Sequence, residues 1–208
     1  TDRYVVHASE GGHADFAPRT ELEMELLAYL KNRYRNTTSR GSTCRVSVER
    51  VASGTGMANT YDFLAQRFPE KLDAALHAEI VAAGDMKAAV ISQNGKGGKR
   101  DLLCRMTMEI FCSTFGSEAG DLALKLLPTG GMYIAGGIAP RNLSYLAARR
   151  TRTRTNGDIE MLGFMHSFLD KGRMTELLGK VPVYVVLAED IGQRGAHLLA
   201  YQTRWGVK

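Results

Sequence analysis

The chain has 208 residues, 44% hydrophobic and 24% charged, a balance that excludes disordered and fibrous classes and suffices to bury roughly 70% of the unfolded surface. Twenty-seven basic against 22 acidic side chains leave a net charge of +5, with much of the excess local to Arg149-Arg150-Thr151-Arg152-Thr153-Arg154, so no broad nucleic-acid-binding face is expected. Three cysteines (Cys44, Cys104 and Cys112) without C-x-x-C spacing argue against a disulfide framework or structural zinc and for a reducing compartment.

Thr1 to His7 has neither an initiator Met nor the basic-then-apolar order of a signal peptide, and it reads as a cut within a longer chain. Tyr4 to Ala8 reads as a strand ending at Gly11-Gly12. Thr20 with Glu23 forms a capping box, opening a helix that carries Leu22, Leu26, Leu27 and Leu30 on one face to about Asn36. A polar stretch to Thr43 follows, and Val46 to Ser53 is ambiguous between strand and short helix. Gly54-Thr55-Gly56 opens a helix to about Phe68, and Pro69-Glu70 opens another that ends near Gly84.

Asn94 to Arg100 is a breaker segment. Asp101 to Leu127 then makes a long helix with Leu103, Met106, Ile110, Phe111 and Leu122, stopped by Pro128; Cys104 and Cys112 on it read as small core residues. Leu126 to Pro140, the longest uncharged stretch, is broken by four glycines and two prolines, which excludes a bilayer span. Met132 to Ala135 and Val181 to Leu187 read as buried strands. Between them a helix runs to about Ala148 and another from Ile159 to Leu169, the alternation of an α/β fold. Trp205 is expected to anchor the last helix.

Ser9-Glu10-Gly11-Gly12-His13-Ala14-Asp15-Phe16 places carboxylates, an imidazole and two permissive glycines in a turn after a strand, where Glu10 and His13 can converge on a polyol. The alternative is a surface turn with incidental polar groups; Glu-x-x-His supplies too few ligands for a metal. Gly54-Thr55-Gly56 at a helix start offers N–H groups to an anion, or is a tight turn. Gly136-Gly137 after a strand admits a flat ring, or is a strand-to-helix turn. The Lys96-Gly97-Gly98-Lys99 run lacks the spacing of a phosphate loop. The arginines of 149–154 have no interleaved aromatics and read as a solvated loop.

Taken together, these stretches resemble the bacterial-type glucokinase family. Ser9 to Pro18 is similar to its sugar-binding turn, and Val48-Glu49-Arg50-Val51-Ala52-Ser53-Gly54-Thr55-Gly56 to its second sugar-contact motif. Gly130 to Arg141 resembles its adenosine-side motif, and Phe168 to Arg173 and Val181 to Tyr184 continue in order. The resemblance implies a hexokinase/actin-like ATPase (ribonuclease H-like) α/β fold, with residues 1–208 as the large C-terminal lobe, its mixed sheet flanked by helices, and insertions at 36–43 and 149–158.

It further implies ATP-dependent phosphorylation of glucose. Glu10, His13 and Glu49 would bind the glucose hydroxyls, Gly136 and Gly137 would border the adenine of ATP with Gly54 and Thr55 nearby, and Mg2+ would accompany the nucleotide. The family's phosphate loops and the Asn-Asp pair that carries its catalytic base have no counterpart among these residues, so no catalytic residue is assigned in this chain, which alone is expected to be inactive. A homodimer, a cytoplasmic location, and a glycosomal one for a trypanosomatid-like protist member are further implications. The alternatives are a sugar-binding or regulatory module, and a kinase for an N-acetylated or amino hexose.

Overall fold

Helices dominate, and the chain divides into two units, Thr1–Thr114 and Phe115–Lys208. This computed structural model describes residues 6–35, 45–96, 101–147, 153–155 and 159–205. The strand expected at Tyr4 to Ala8 falls partly outside them, and Val6 to Ala8 is irregular rather than extended into a ladder. The expected insertion at 36–43 and Cys44 also lie outside.

In the first unit, α1 (Glu21–Arg33) starts where the capping box places it. Thr20 Oγ1 accepts from the Glu23 N–H at 3.2 Å, and the Glu23 carboxylate turns back to accept from the Arg19 N–H at 2.7 Å. Leu22, Leu26 and Leu30, four residues apart, are buried, each worth roughly 1.5–3 kcal/mol of apolar burial. Glu23 is buried with them. Its carboxylate also accepts from the Ser113 hydroxyl at 3.0 Å, and burial pushes the carboxyl above its ordinary range against the pull of these bonds.

The next helix, α2 (Gly54–Arg67), buries Met57, Tyr61, Phe63 and Leu64 and packs on α1. After the turn Pro69–Lys71, α3 (Ala74–Ala82) is capped by Asp73, whose Oδ1 accepts from the Ala75 and Leu76 N–H groups. A fourth helix, α4 (Lys87–Gly95), was not expected: Asn94 and Gly95, read as breakers, complete its last turn, with Asn94 Nδ2 donating to the Val90 carbonyl at 3.0 Å. It packs against α2 and α3.

The long helix α5 (Leu102–Leu126) stops before Pro128 as expected, with Leu127 at φ +47°. Its first half buries Leu103, Met106, Ile110 and Phe111 in the first unit. Cys104 and Cys112 are free and buried there, their thiols pushed far up by burial, as core residues should be. Leu122 corrects the expectation: it is exposed, because Gly116, Ala119, Gly120 and Ala123 take the buried face of the second half.

In the second unit β1 (Met132–Ile134) leads into α6 (Ile138–Arg141) and α7 (Leu143–Leu146). The helix expected over Ile159 to Leu169 is overturned in its first part. β2 (Thr153–Thr155) pairs antiparallel with β3 (Ile159–Met161), and only α8 (Phe164–Leu169), after Gly163, is helical. The rest of the arginine-rich stretch lies outside the described residues. α9 (Thr175–Leu178) and β4 (Val183–Val185) follow, β4 pairing parallel with β1, and α10 (Ile191–Trp205) ends the unit.

Among the described residues the strands form these two separate pairs, not the one mixed sheet expected. Gly116 lets α5 and α8 meet: a Cβ there would lie 2.1 Å from the Phe164 carbonyl oxygen. Trp205 does not anchor α10, being 64% exposed on a helix exposed throughout. No described helix is long and apolar enough to cross a membrane.

Candidate functional site

The segment Ser9 to Phe16 closes on itself before it meets the rest of the first unit. Gly11–His13 is a single 3-10 turn in which the His13 N–H donates to the Glu10 carbonyl at 2.9 Å and the Ala14 N–H to that of Gly11 at 3.0 Å. Two further bonds make an antiparallel bridge between Asp15 and Ser47: Phe16 N–H to Val46 O at 2.9 Å and Val48 N–H to Ala14 O at 2.8 Å. Arg45 reinforces it. Its Nε reaches Asp15 Oδ1 at 2.6 Å and its Nη2 donates to the His13 carbonyl.

Side-chain alternation across this bridge sets which groups face outward. Phe16, Val46, Val48 and Val51 are buried, so the intervening Glu49, in the 3-10 turn Val48–Arg50, projects to the surface. There it meets His13. His13 Nδ1 stands 3.6 Å from Glu49 Oε2, and Nε2 stands 3.7 Å from Glu10 Oε2. An imidazole between two carboxylates is the convergence expected of Glu10, His13 and Glu49.

Neither contact is as short as a normal hydrogen bond, and the side chains are 88% (Glu10), 62% (His13) and 54% (Glu49) exposed. Exposed pairs of this kind add at most about 1 kcal/mol to stability. A neutral ring also carries only one N–H for its two acidic neighbours. The trio therefore has unused polar capacity facing solvent, which hydroxyl groups of a polyol are suited to take up: each can donate to a carboxylate while accepting from the ring.

Gly54 and Thr55 form the first turn of α2, five and six residues beyond Glu49 in the same unit. Ser53 caps that turn, accepting from the Gly56 N–H at 2.9 Å and donating to the Glu49 carbonyl at 2.7 Å. Gly136 and Gly137 belong to the second unit, at the carboxyl end of β1. A cavity of about 760 Å3 opens there, lined by Ala135 and Gly136 on one side and by Glu189, Asp190 and Gly192 on the other. This is the open-sheet crevice position, outside the carboxyl ends of two parallel strands. Gly136 adopts φ +102°, and nothing lies within 4 Å of where a Cβ would stand, so the backbone is bare toward a ligand. Arg141 Nη2 and Glu189 Oε2 close one rim at 2.6 Å.

Arg45, Ser53 and Asn59 on the first unit, and Glu189 and Asp190 on the second, are site features that sequence reasoning missed. For the last two, the signal was present in Val181 to Leu187: pairing of that strand with β1 puts its following residues beside those after β1, although β4 is only half-buried, with Tyr184 exposed, and not buried as expected.

The glucokinase family profile matches residues 1–203. A glucokinase of Synechocystis is 42% identical over 211 residues, covering 97% of this chain and 53% of its own length. One of Nostoc punctiforme is 41% identical over 210 residues, covering 96% and 55%. The crystal structure of a glucokinase from an Antarctic psychrotroph is 30% identical, with a TM-score of 0.58 over 90% of this chain and 48% of that one. The chain spans about half the length of the curated relatives it matches. Those relatives are bacterial, and the expectation of a protist member finds no support among them.

Proposed function

Since the chain belongs to the glucokinase family, we propose that it forms the sugar- and adenosine-binding part of an ATP-dependent hexose kinase that converts glucose to glucose 6-phosphate. The observation that carries this reading is the meeting of Glu10, His13 and Glu49 on one open surface. The two carboxylates accept from sugar hydroxyls, and the imidazole donates or accepts according to its tautomer. A hexose lacking one of those hydroxyls leaves a polar partner unsatisfied, so the trio discriminates as well as binds.

The cavity beside Gly136 suits an adenosine group, because its floor is a backbone without side chain and its place is at the ends of parallel strands. Gly136 and Gly137 would border the ring. Bound ATP supplies the transferable phosphoryl group. Mg2+ would accompany the ATP phosphates; among the described residues there is no group of three or more His, Cys, Asp or Glu side chains placed to hold a metal ion. The aspartate that deprotonates the sugar's 6-hydroxyl would stand outside these residues, on the lobe carrying the phosphate loops. The ribonuclease H-like large lobe, a cytoplasmic location and a homodimer complete the proposal.

Turnover tests it. The chain extended by its upstream coding sequence should yield glucose 6-phosphate from glucose and ATP in a coupled dehydrogenase assay, while the chain alone should bind glucose without turnover. An extended protein that binds glucose but transfers no phosphoryl group would be a sugar-binding module instead. Turnover of an amino or N-acetylated hexose in place of glucose would reassign the substrate.

A further inference from the structure

Glu49 owes its direction to its backbone, since its side chain is half exposed and stands 3.6 Å from the imidazole of His13, beyond a normal hydrogen bond. That backbone is held from α2 at two successive carbonyls. Ser53 Oγ donates to the Glu49 carbonyl at 2.7 Å, and Asn59 Nδ2 donates to the Arg50 carbonyl at 3.0 Å. Asn59 is 2% exposed, and its own oxygen accepts from the Tyr34 hydroxyl at 3.0 Å, which orients the carboxamide. The Tyr34 ring in turn lies under the Arg50 guanidinium at 4.2 Å. The turn's last two carbonyls are thus fixed, that of Glu49 by Ser53 and that of Arg50 by the buried Asn59.

We infer that Asn59 is a positioning residue for the sugar site: it locks the Val48–Arg50 turn in the register that presents the Glu49 carboxylate beside His13. This rests on the reading that Glu49 binds the hexose. Asparagine suits the role because it offers a donor to a carbonyl and an acceptor to a hydroxyl on one short, rigid amide. Leucine shares the branched four-atom skeleton, is somewhat bulkier and offers neither, so Asn59→Leu removes both bonds without opening a cavity.

The test is a double-mutant cycle read by calorimetric glucose titration, with thermal melts to show that each variant is folded at the titration temperature. Asn59→Leu should weaken glucose binding about tenfold, or about 1.4 kcal/mol, and should add almost nothing once Glu49→Ala is present. A structural role alone moves the melting temperature but gives no such coupling. Should Asn59→Leu not fold, Tyr34→Phe, which removes only the hydroxyl that orients the amide, replaces it in the cycle with a smaller loss and the same dependence on Glu49. Wild-type affinity in Asn59→Leu, or losses that multiply in the double variant, overturns the inference while leaving the sugar reading intact. Wild-type affinity in Glu49→Ala removes both.

Discussion

Gly56→Ala is expected to destabilise the protein by about 3 kcal/mol and to weaken glucose binding with it. A Cβ built at Gly56 would lie 2.3 Å from the Val51 carbonyl oxygen, 2.4 Å from its carbon and 2.7 Å from its Cα. These are backbone atoms and cannot rotate aside. Accommodation requires α2 to back away from the Val48–Val51 segment, which stretches the Ser53 bond to Glu49 and the Asn59 bond to Arg50 together. Overpacking of this kind costs typically 1–3 kcal/mol, and each weakened bond adds about 1 kcal/mol.

Gly54→Ala is the matched control. Its Cβ would make an ordinary contact with Ala88 at 3.8 Å, and alanine favours the helix by up to about 1 kcal/mol over glycine. Chemical denaturation of the two variants side by side should separate them by several kcal/mol. Equal stability would mean that α2 does not approach Val51 so closely.

Glu49→Ala should lower glucose affinity at least about tenfold, about 1.4 kcal/mol, while leaving stability within about 0.5 kcal/mol of the parent. The two effects divide because the carboxylate is half exposed at the surface, with His13 3.6 Å away. Hydrogen bonds from hydroxyls to a charged acceptor are worth about 1.5–3 kcal/mol, and glucose loses them here without compensation. Calorimetry reads the affinity and a thermal melt reads the fold. An unchanged affinity would take Glu49 out of the site.

Much of this was legible in the residues. Thr20 and Glu23 marked the start of α1, Pro128 the end of α5, and the run from Met132 a strand, because caps, prolines and apolar runs act locally; the strand is buried on one face alone, with Tyr133 exposed, and not on both as expected. Glu10 and His13 were legible together in one turn, but the approach of Glu49 to them was not a local signal. It came from family resemblance, and the bridge between Asp15 and Ser47 is the physical reason that residues so far apart in sequence meet.

What escaped reading depended on pairing between distant segments. Ile159 to Leu169 satisfies a helical apolar spacing, yet its first residues pair with β2, a choice made by tertiary context. Asn59 gave no local signal, since a buried amide reveals its partners, Arg50 and Tyr34, only once α2 is packed. Glu189 and Asp190 likewise became cavity walls only through the parallel pairing of β1 with β4.

The central claim is that His13, flanked by two carboxylates, receives a hexose. Nuclear magnetic resonance of the nitrogen-labelled protein tests it most directly, by following the His13 ring signals as glucose is added. Saturable shifts at His13, moved to at least about tenfold higher glucose in Glu49→Ala, are the predicted result. A His13 ring that stays unmoved while glucose saturates the protein would contradict the account.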